Sequence, residues 1–331
     1  MDRRPARQRR ADRPARVTSP EKDVDAASAA TPPEQSMSLP DQLWHYTDAA
    51  GLLGILTNVR EKPDPNVVGS GSYKPVLRAT AAQFLNDRRE LTHGLDLILD
   101  YLREWGGRGL FQSNPVAETF ISMVCDAIQS IIDREYPDYL HCCTVSFSED
   151  PDMLSQWRGY GQGTGGFAIG FDPAKFPPLD GSNVHRAGLG LHRVEYLSDA
   201  LEQPLIDATY SFIAELMDPA LTKVPTSGNV HAAVQALAFV AASVKHKGFR
   251  EEREWRFVQP GFFDEPEFRP GATGLVPYRE VTGLTQDAVI GLYVGPGPYQ
   301  YENYLAAKSM LGRYGYDEAA RNVHCSETPF R

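Results

Sequence analysis

Large apolar side chains are sparse through residues 1–38 and become patterned only at Leu43-Trp44-His45-Tyr46. That aromatic run has strand character. Thr47 is the expected N-cap of a following helix, whose apolar face is Ala50, Leu52, Leu53, Ile55 and Leu56 and which ends near Asn58. Pro, Asn and Gly mark residues 62–74 as a loop, and residues 76–80 form a short strand. Leu91, Leu95, Ile98, Leu99 and Leu102 recur at helical spacing across residues 87–105. Phe120, Met123, Val124, Ala127 and Ile131 do the same across residues 116–134. Residues 140–148 alternate as a strand, with Cys142, Thr144, Ser146 and Ser148 on one face.

A short helix over 153–160 and a strand over 165–171 follow. Further strands are expected at 192–197, 253–259, 276–282, 289–294 and 322–326. Helices are expected at about 199–217, 229–245 and 299–314. Strands and helices interleave without the regular spacing of repeated strand-helix-strand units, and no internal repeat is visible. The pattern predicts an α+β domain: split, mostly antiparallel β-sheets with inserted helices.

Composition narrows this. The 331 residues are 42% hydrophobic and 23% charged, enough apolar content for a large core. No run of about 18 apolar residues marks a membrane span. Four cysteines in this length do not make a disulfide scaffold. The net charge of −10 is unevenly placed: residues 1–16 hold seven Arg and two Asp, so the remainder carries −15. An acidic body does not suit duplex DNA, apart from what the basic head could touch. Residues 1–38 are expected to be a disordered basic tail, and 39–331 a single domain. Translation from Met37 would omit that tail. The head lacks the apolar section of a signal peptide, so the cytoplasm is the expected compartment.

The sharpest candidate chemistry is Glu251-Glu252-Arg253-Glu254-Trp255-Arg256-Phe257. As a strand it places Glu252, Glu254 and Arg256 on one face. Such a face is either a solvated ion-pair strip or a polar site, because buried charge must be paired. His45 and Tyr46 point to opposite faces of their strand, one toward a pocket and the other into packing. Asn86 or Asp87 is a natural N-cap, with Glu90 completing a capping box. Trp157 and Tyr160, three apart, share one side of a helix and either stack on a planar ligand or pack. Gly161, Gly163, Gly165 and Gly166 precede a strand rather than a helix, so they are a turn, not a dinucleotide fingerprint. Gly295-Pro296-Gly297-Pro298 is a plain turn. Adjacent Cys142 and Cys143 have no metal-ligand spacing, and no metal is expected.

Taken in order, these pieces resemble the domain-of-unknown-function 2971 family of bacterial proteins. They are His45-Tyr46-Thr47; Leu85-Asn86-Asp87 with Glu90; Ser146-Phe147-Ser148 with Trp157, Tyr160 and Gly161; Gly166 to Phe171; Lys245 before Glu252 to Arg256; Gly295-Pro296; and Ser326 with Pro329-Phe330-Arg331. The layout also looks like the ADP-ribosyltransferase superfamily. That resemblance implies an ADP-ribosyltransferase-like fold and an enzyme using NAD as substrate, in a phage-defence or toxin setting. It implies that His45 holds the ribose and that Glu254 stabilises an oxocarbenium-like transition state, with Glu252 competing for the role. Trp157 or Tyr160 would stack on nicotinamide, and Tyr46, Arg256 and Asn86 would be further ligand contacts. The usual Tyr or Ser-Thr-Ser strand motif is not plainly visible. Two other readings stand beside it: a non-catalytic nucleotide- or partner-binding module, and a metal-dependent hydrolase using Asp87, Glu90, Glu252 or Glu254.

Overall fold

The computed structural model of the protein describes residues 39–58, 73–85, 88–106, 115–135, 140, 142–161, 165–177, 189–216, 226–261, 266–271 and 274–329. The basic head, Asn86, Asp87 and Gly163 lie outside the described residues. From Leu39 onward the chain forms one unit.

The elements run β1 Leu43–Thr47, α1 Ala49–Leu56, β2 Leu77–Ala81, α2 Arg88–Gly106, α3 Pro115–Ile132, β3 Cys142–Ser148, α4 Leu154–Tyr160 and β4 Phe167–Phe171. There follow β5 Gly190–Arg193, β6 Glu195–Leu197, α5 Gln203–Leu216, α6 Ser227–Ala242, β7 Val244–His246 and β8 Glu254–Pro260. The chain ends with β9 Glu267–Gly271, β10 Gly274–Val281, β11 Val289–Val294, α7 Gln300–Arg313, α8 Asp317–Arg321 and β12 Val323–Cys325.

Among the described residues ten strands form one sheet in the order β12-β11-β4-β1-β3-β2-β10-β9, with β8 and then β5 branching from β3, and only β12 joins it parallel. The sheet is split at β3. Over its whole length β3 pairs with β8, from Cys142↔Pro260 to Ser148↔Glu254. Its other edge is shared: β1 meets it at Ser148 and β2 at Thr144 and Cys143. The architecture is thus mixed α+β on a mostly antiparallel sheet, as the pattern predicts.

Alternation sorts the core onto two faces. Cys142 and Val258 face the helical layer of α2, α3, α5 and α6, whose core includes Leu95, Ile98, Phe120, Val124 and Leu237. Cys143, Val145, Phe147, Trp255 and Phe257 face the other way, against residues of α1, α7 and α8. Among the described residues α3 is long and apolar enough, by composition, to cross a membrane. Here its buried face, with Phe120, Val124 and Ile128, packs into the helical core.

Several local expectations are revised. The N-cap of α1 is Asp48, whose Oδ1 accepts the Gly51 N–H at 2.7 Å, while Thr47 stays in β1. The strand expected at 192–197 is two strands. The Val194 N–H still bonds the Glu254 carbonyl, but the Glu195 N–H bonds Ser243, handing the chain from β8 to β7. The helix expected to reach Lys245 stops at Ala242, and Lys245 sits instead on β7, parallel to β6. Arg253 adopts φ 43°, so β8 begins only at Glu254.

The two glycine turns meet. A Cβ on Gly295 would fall 1.9 Å from the Gly165 carbonyl oxygen, and Gly165 itself has φ +116°. Gly312, by contrast, has open space around it. Gly295→Ala is therefore expected to cost at least the ~1–3 kcal/mol of an overpacked core, while Gly312→Ala in α7 is expected to be neutral or stabilising by up to ~1 kcal/mol. Urea denaturation of the two variants checks this.

Candidate functional site

Five ionisable side chains converge between the helical layer and β8. The Lys245 ammonium uses its three donors on Glu90 at 2.8 Å, Glu252 at 2.7 Å and Glu254 at 2.9 Å. The Arg256 guanidinium grips Glu254 with Nε at 2.7 Å and Nη2 at 3.1 Å. It also reaches Glu90 at 2.6 Å and donates Nη1 to the Ala242 carbonyl at 2.7 Å. Arg256 is 1% and Glu254 5% exposed, so this is a desolvated network in which each charge has a partner. Three carboxylates against two cations leave one formal negative charge.

Local backbone brings these groups together. Glu254 and Arg256 are alternate residues of β8 and share its helical-layer face. Glu252 belongs to the 3-10 turn Lys247–Glu252, and the left-handed Arg253 swings its carboxylate back to the same lysine. Ser148 Oγ donates to the Glu252 carbonyl at 2.8 Å, and the Tyr196 hydroxyl accepts the Glu254 N–H at 2.8 Å. Burial works against the Glu254 charge, but Arg256 and then Lys245 outweigh it and hold the carboxyl down at about 2. For Glu252 burial prevails over Lys245, and its carboxyl is raised.

Two aromatic rings stand at the mouth of the cluster. Phe249, 39% exposed, lies over the Lys245 ammonium at 5.0 Å. Tyr160 is 38% exposed, yet its hydroxyl is pushed up to about 12 by burial and then by Glu254 and Glu90. The residue is thus partly exposed, with its hydroxyl near enough to Glu254 and Glu90 to feel their charge. Among the described residues that hydroxyl has no hydrogen-bond partner, and no donor reaches Glu252 Oε1. His192, opposite Arg256 on β5, has both ring nitrogens shut off from solvent and unpaired. Burial and then Arg256 lower it to about 4, although the Gly190 backbone works the other way.

The structure brings Glu252, Glu254, Arg256 and Tyr160 together with Glu90, which the hydrolase reading also named, and with Lys245. It does not bring His45. That ring lies against Phe147 at 5.7 Å, on the sheet face opposite Ser146, Ser148 and Glu254. Its Nδ1 donates to the Ser146 carbonyl at 2.9 Å, in the split where neither β1 nor β2 covers β3. The expected convergence of His45 and Glu254 on one cleft is corrected: β1 points His45 away. Tyr46 faces the other side but is spent on packing, its hydroxyl donating to the Asp150 carbonyl and accepting the Met153 N–H. Trp157 is 4% exposed, edge-on to Tyr46 and bonded to Asp152, so its ring is closed to a ligand. The capping box expected for Glu90 involves Asn86 or Asp87, which lie outside the described residues; Glu90 itself makes two ion pairs.

His192 and Tyr196 carried no site signal in the sequence, and Lys245 entered only as a piece of the family resemblance, without a role. Lys245 sits at the end of an apolar helical run, and the other two lie in a strand pattern that is broken between sheets. Among the described residues no group of three His, Cys, Asp or Glu is placed to hold a metal ion. Cys142 and Cys143 are buried free thiols on opposite faces, and burial raises both.

Residues 156–257 match the model of a family described as a protein of unknown function, DUF2971. The matched segment contains Tyr160, His192, Lys245, Glu252, Glu254 and Arg256. No curated protein and no solved structure matches the chain.

Two outcomes follow for stability. Lys245→Met leaves three carboxylates facing one guanidinium and is expected to cost about 3–5 kcal/mol, measured by urea unfolding at neutral pH. His192 is held at about 4 against an ordinary 6.5, so the unfolded chain takes up its proton first as pH falls. Its contribution is whole above pH 6.5 and is lost as pH falls toward 4. Glu254 loses its own contribution lower, between 4.5 and about 2. In His192→Gln the fall in urea midpoint between pH 6.5 and 4 should shrink, while the fall below pH 4 persists.

Proposed function

We propose that the protein is a ligand-binding module whose site is the mouth of the charged cluster, with Tyr160, Phe249 and Glu252 as ligand contacts. The observation that carries this is how the carboxylates are occupied. Both Glu254 oxygens are taken by Arg256 and Lys245, whereas Glu252 keeps one oxygen without a donor, beside two partly exposed rings. A carboxylate locked in this way is a rigid floor, not a group free to meet a developing positive charge. An open aromatic face next to a free acceptor suits a planar group with hydrogen-bond donors, such as the base or nicotinamide of a nucleotide. In this reading Glu90, Lys245, Glu254 and Arg256 hold the floor in place.

Calorimetric titration with NAD and with adenosine nucleotides, beside chromatographic detection of free nicotinamide, tests it. Saturable nucleotide binding is expected, weakened at least tenfold in Tyr160→Ala and in Glu252→Gln, with no nicotinamide released. Release of nicotinamide that Glu254→Gln abolishes would overturn the binding reading and establish the NAD-consuming transferase implied by the resemblance. Absence of nucleotide binding would remove both.

A further inference from the structure

A cavity of about 490 Å³ shares no lining residue with the charged cluster. It is lined by Asp41, Trp44, Glu149, Tyr293, Asn322 and His324, among others. Its aromatic wall is continuous. Trp44 meets Tyr293 edge-on with centroids 5.1 Å apart, and Tyr293 lies against His324 at 5.1 Å and 31°.

The charge on this wall is of one sign. Asp41 and Glu149 are both carboxylates, and no Lys or Arg lines the cavity. Glu149 Oε1 accepts the Trp255 indole N–H at 2.8 Å and faces Arg193 at 3.7 Å. Among the described residues no donor reaches its Oε2, and the Asp41 carboxylate has no partner. Burial, followed by Asp152, Glu327 and Asp150, raises the Tyr293 hydroxyl, so three further carboxylates act on it.

A donor is also left over. Trp44 lines the cavity and is 3% exposed, and its indole N–H meets no acceptor among the described residues while keeping contact with solvent. Its six-membered ring lies over Gly170 of β4, where an added Cβ would come within 2.7 Å of Cζ3. A ligand acceptor can take the place of water at this donor.

We propose that this cavity binds a small organic cation, a guanidinium or primary ammonium, with a hydrogen-bond acceptor near its charge. The cation lies on the Tyr293 and His324 faces and against Glu149 and Asp41, and the acceptor meets the Trp44 N–H. Aromatic faces beside carboxylates are the recognised environment for such ions. The proposal does not rest on the site at the charged cluster.

The test is calorimetric titration of the full chain with Nα-acetyl-L-arginine amide in ~0.15 M salt, where a Debye length of about 8 Å screens the overall charge. Saturable one-to-one binding is expected. Nα-acetyl-L-citrulline amide, its neutral urea counterpart, should bind at least tenfold more weakly. Glu149→Gln keeps the acceptor for Trp255 and should weaken the arginine derivative at least tenfold; Trp44→Phe should weaken it several-fold. Should Trp44→Phe fail to fold, Asp41→Asn serves as the second variant, with the same direction. Tyr160→Ala, at the other site, should leave this binding unchanged. No binding, equal binding of the two amides, or indifference to Glu149→Gln would overturn the proposal.

Discussion

The Lys245 ammonium joins the helical layer to the sheet. Its three carboxylate partners come from α2, from the turn before β8 and from β8 itself, and Arg256 adds the end of α6 through the Ala242 carbonyl. Removing charges from water costs several kcal/mol per ion, so the arrangement persists only with near-complete pairing. Neighbouring details follow from that constraint. Tyr196 secures the Glu254 backbone, Ser148 secures that of Glu252, and Arg253 takes a left-handed conformation so that two carboxylates two residues apart reach one lysine. A network of this kind specifies which surfaces meet more than it adds net stability.

Much of this arrangement was legible in the sequence, and the gaps have physical causes. Alternation along a strand placed Glu254 and Arg256 on one face correctly, because β8 is regular from Glu254 onward. It placed Glu252 with them for a wrong reason, since Arg253 breaks the strand. Lys245 was hidden because the apolar pattern of α6 continues through Val244, and a helix stop that depends on pairing with β6 leaves no local mark. Glu90 stood where a capping box would put it, so a local explanation concealed a long-range one. His45 and Tyr46 were known to face opposite ways, but alternation cannot say which face meets which layer until a partner strand is known. The mixed α+β architecture follows from irregular interleaving of strands and helices, whereas the branch of the sheet at β3 depends on pairings far apart in the chain.

That branch gives His45 its place. Where β1 and β2 diverge, the Ser146 carbonyl has no strand beside it, and a carbonyl buried without a donor is costly. The His45 Nδ1–H supplies that donor. The bond fixes the tautomer, with the proton on Nδ1, and burial lowers the ring's proton affinity so that it stays neutral. A histidine on a strand before a helix can thus be required by the sheet itself, and its presence in an ordered motif does not place it at a reaction centre.

The same distinction between compensated and uncompensated groups separates the two sites. Total charge says little about either, because what matters is how many partners each ion already has. In the cluster five ions nearly neutralise one another, so a ligand meets only what remains at the rim: one Glu252 oxygen and two rings. In the cavity beside β1 the carboxylates have few partners and the Trp44 donor has none, so the wall itself still lacks counter-charges and acceptors. A site saturated by its own side chains positions structure, and a site left short of partners recognises what can supply them. On that criterion the proposed cation site lies where the acidity of this body is least paired.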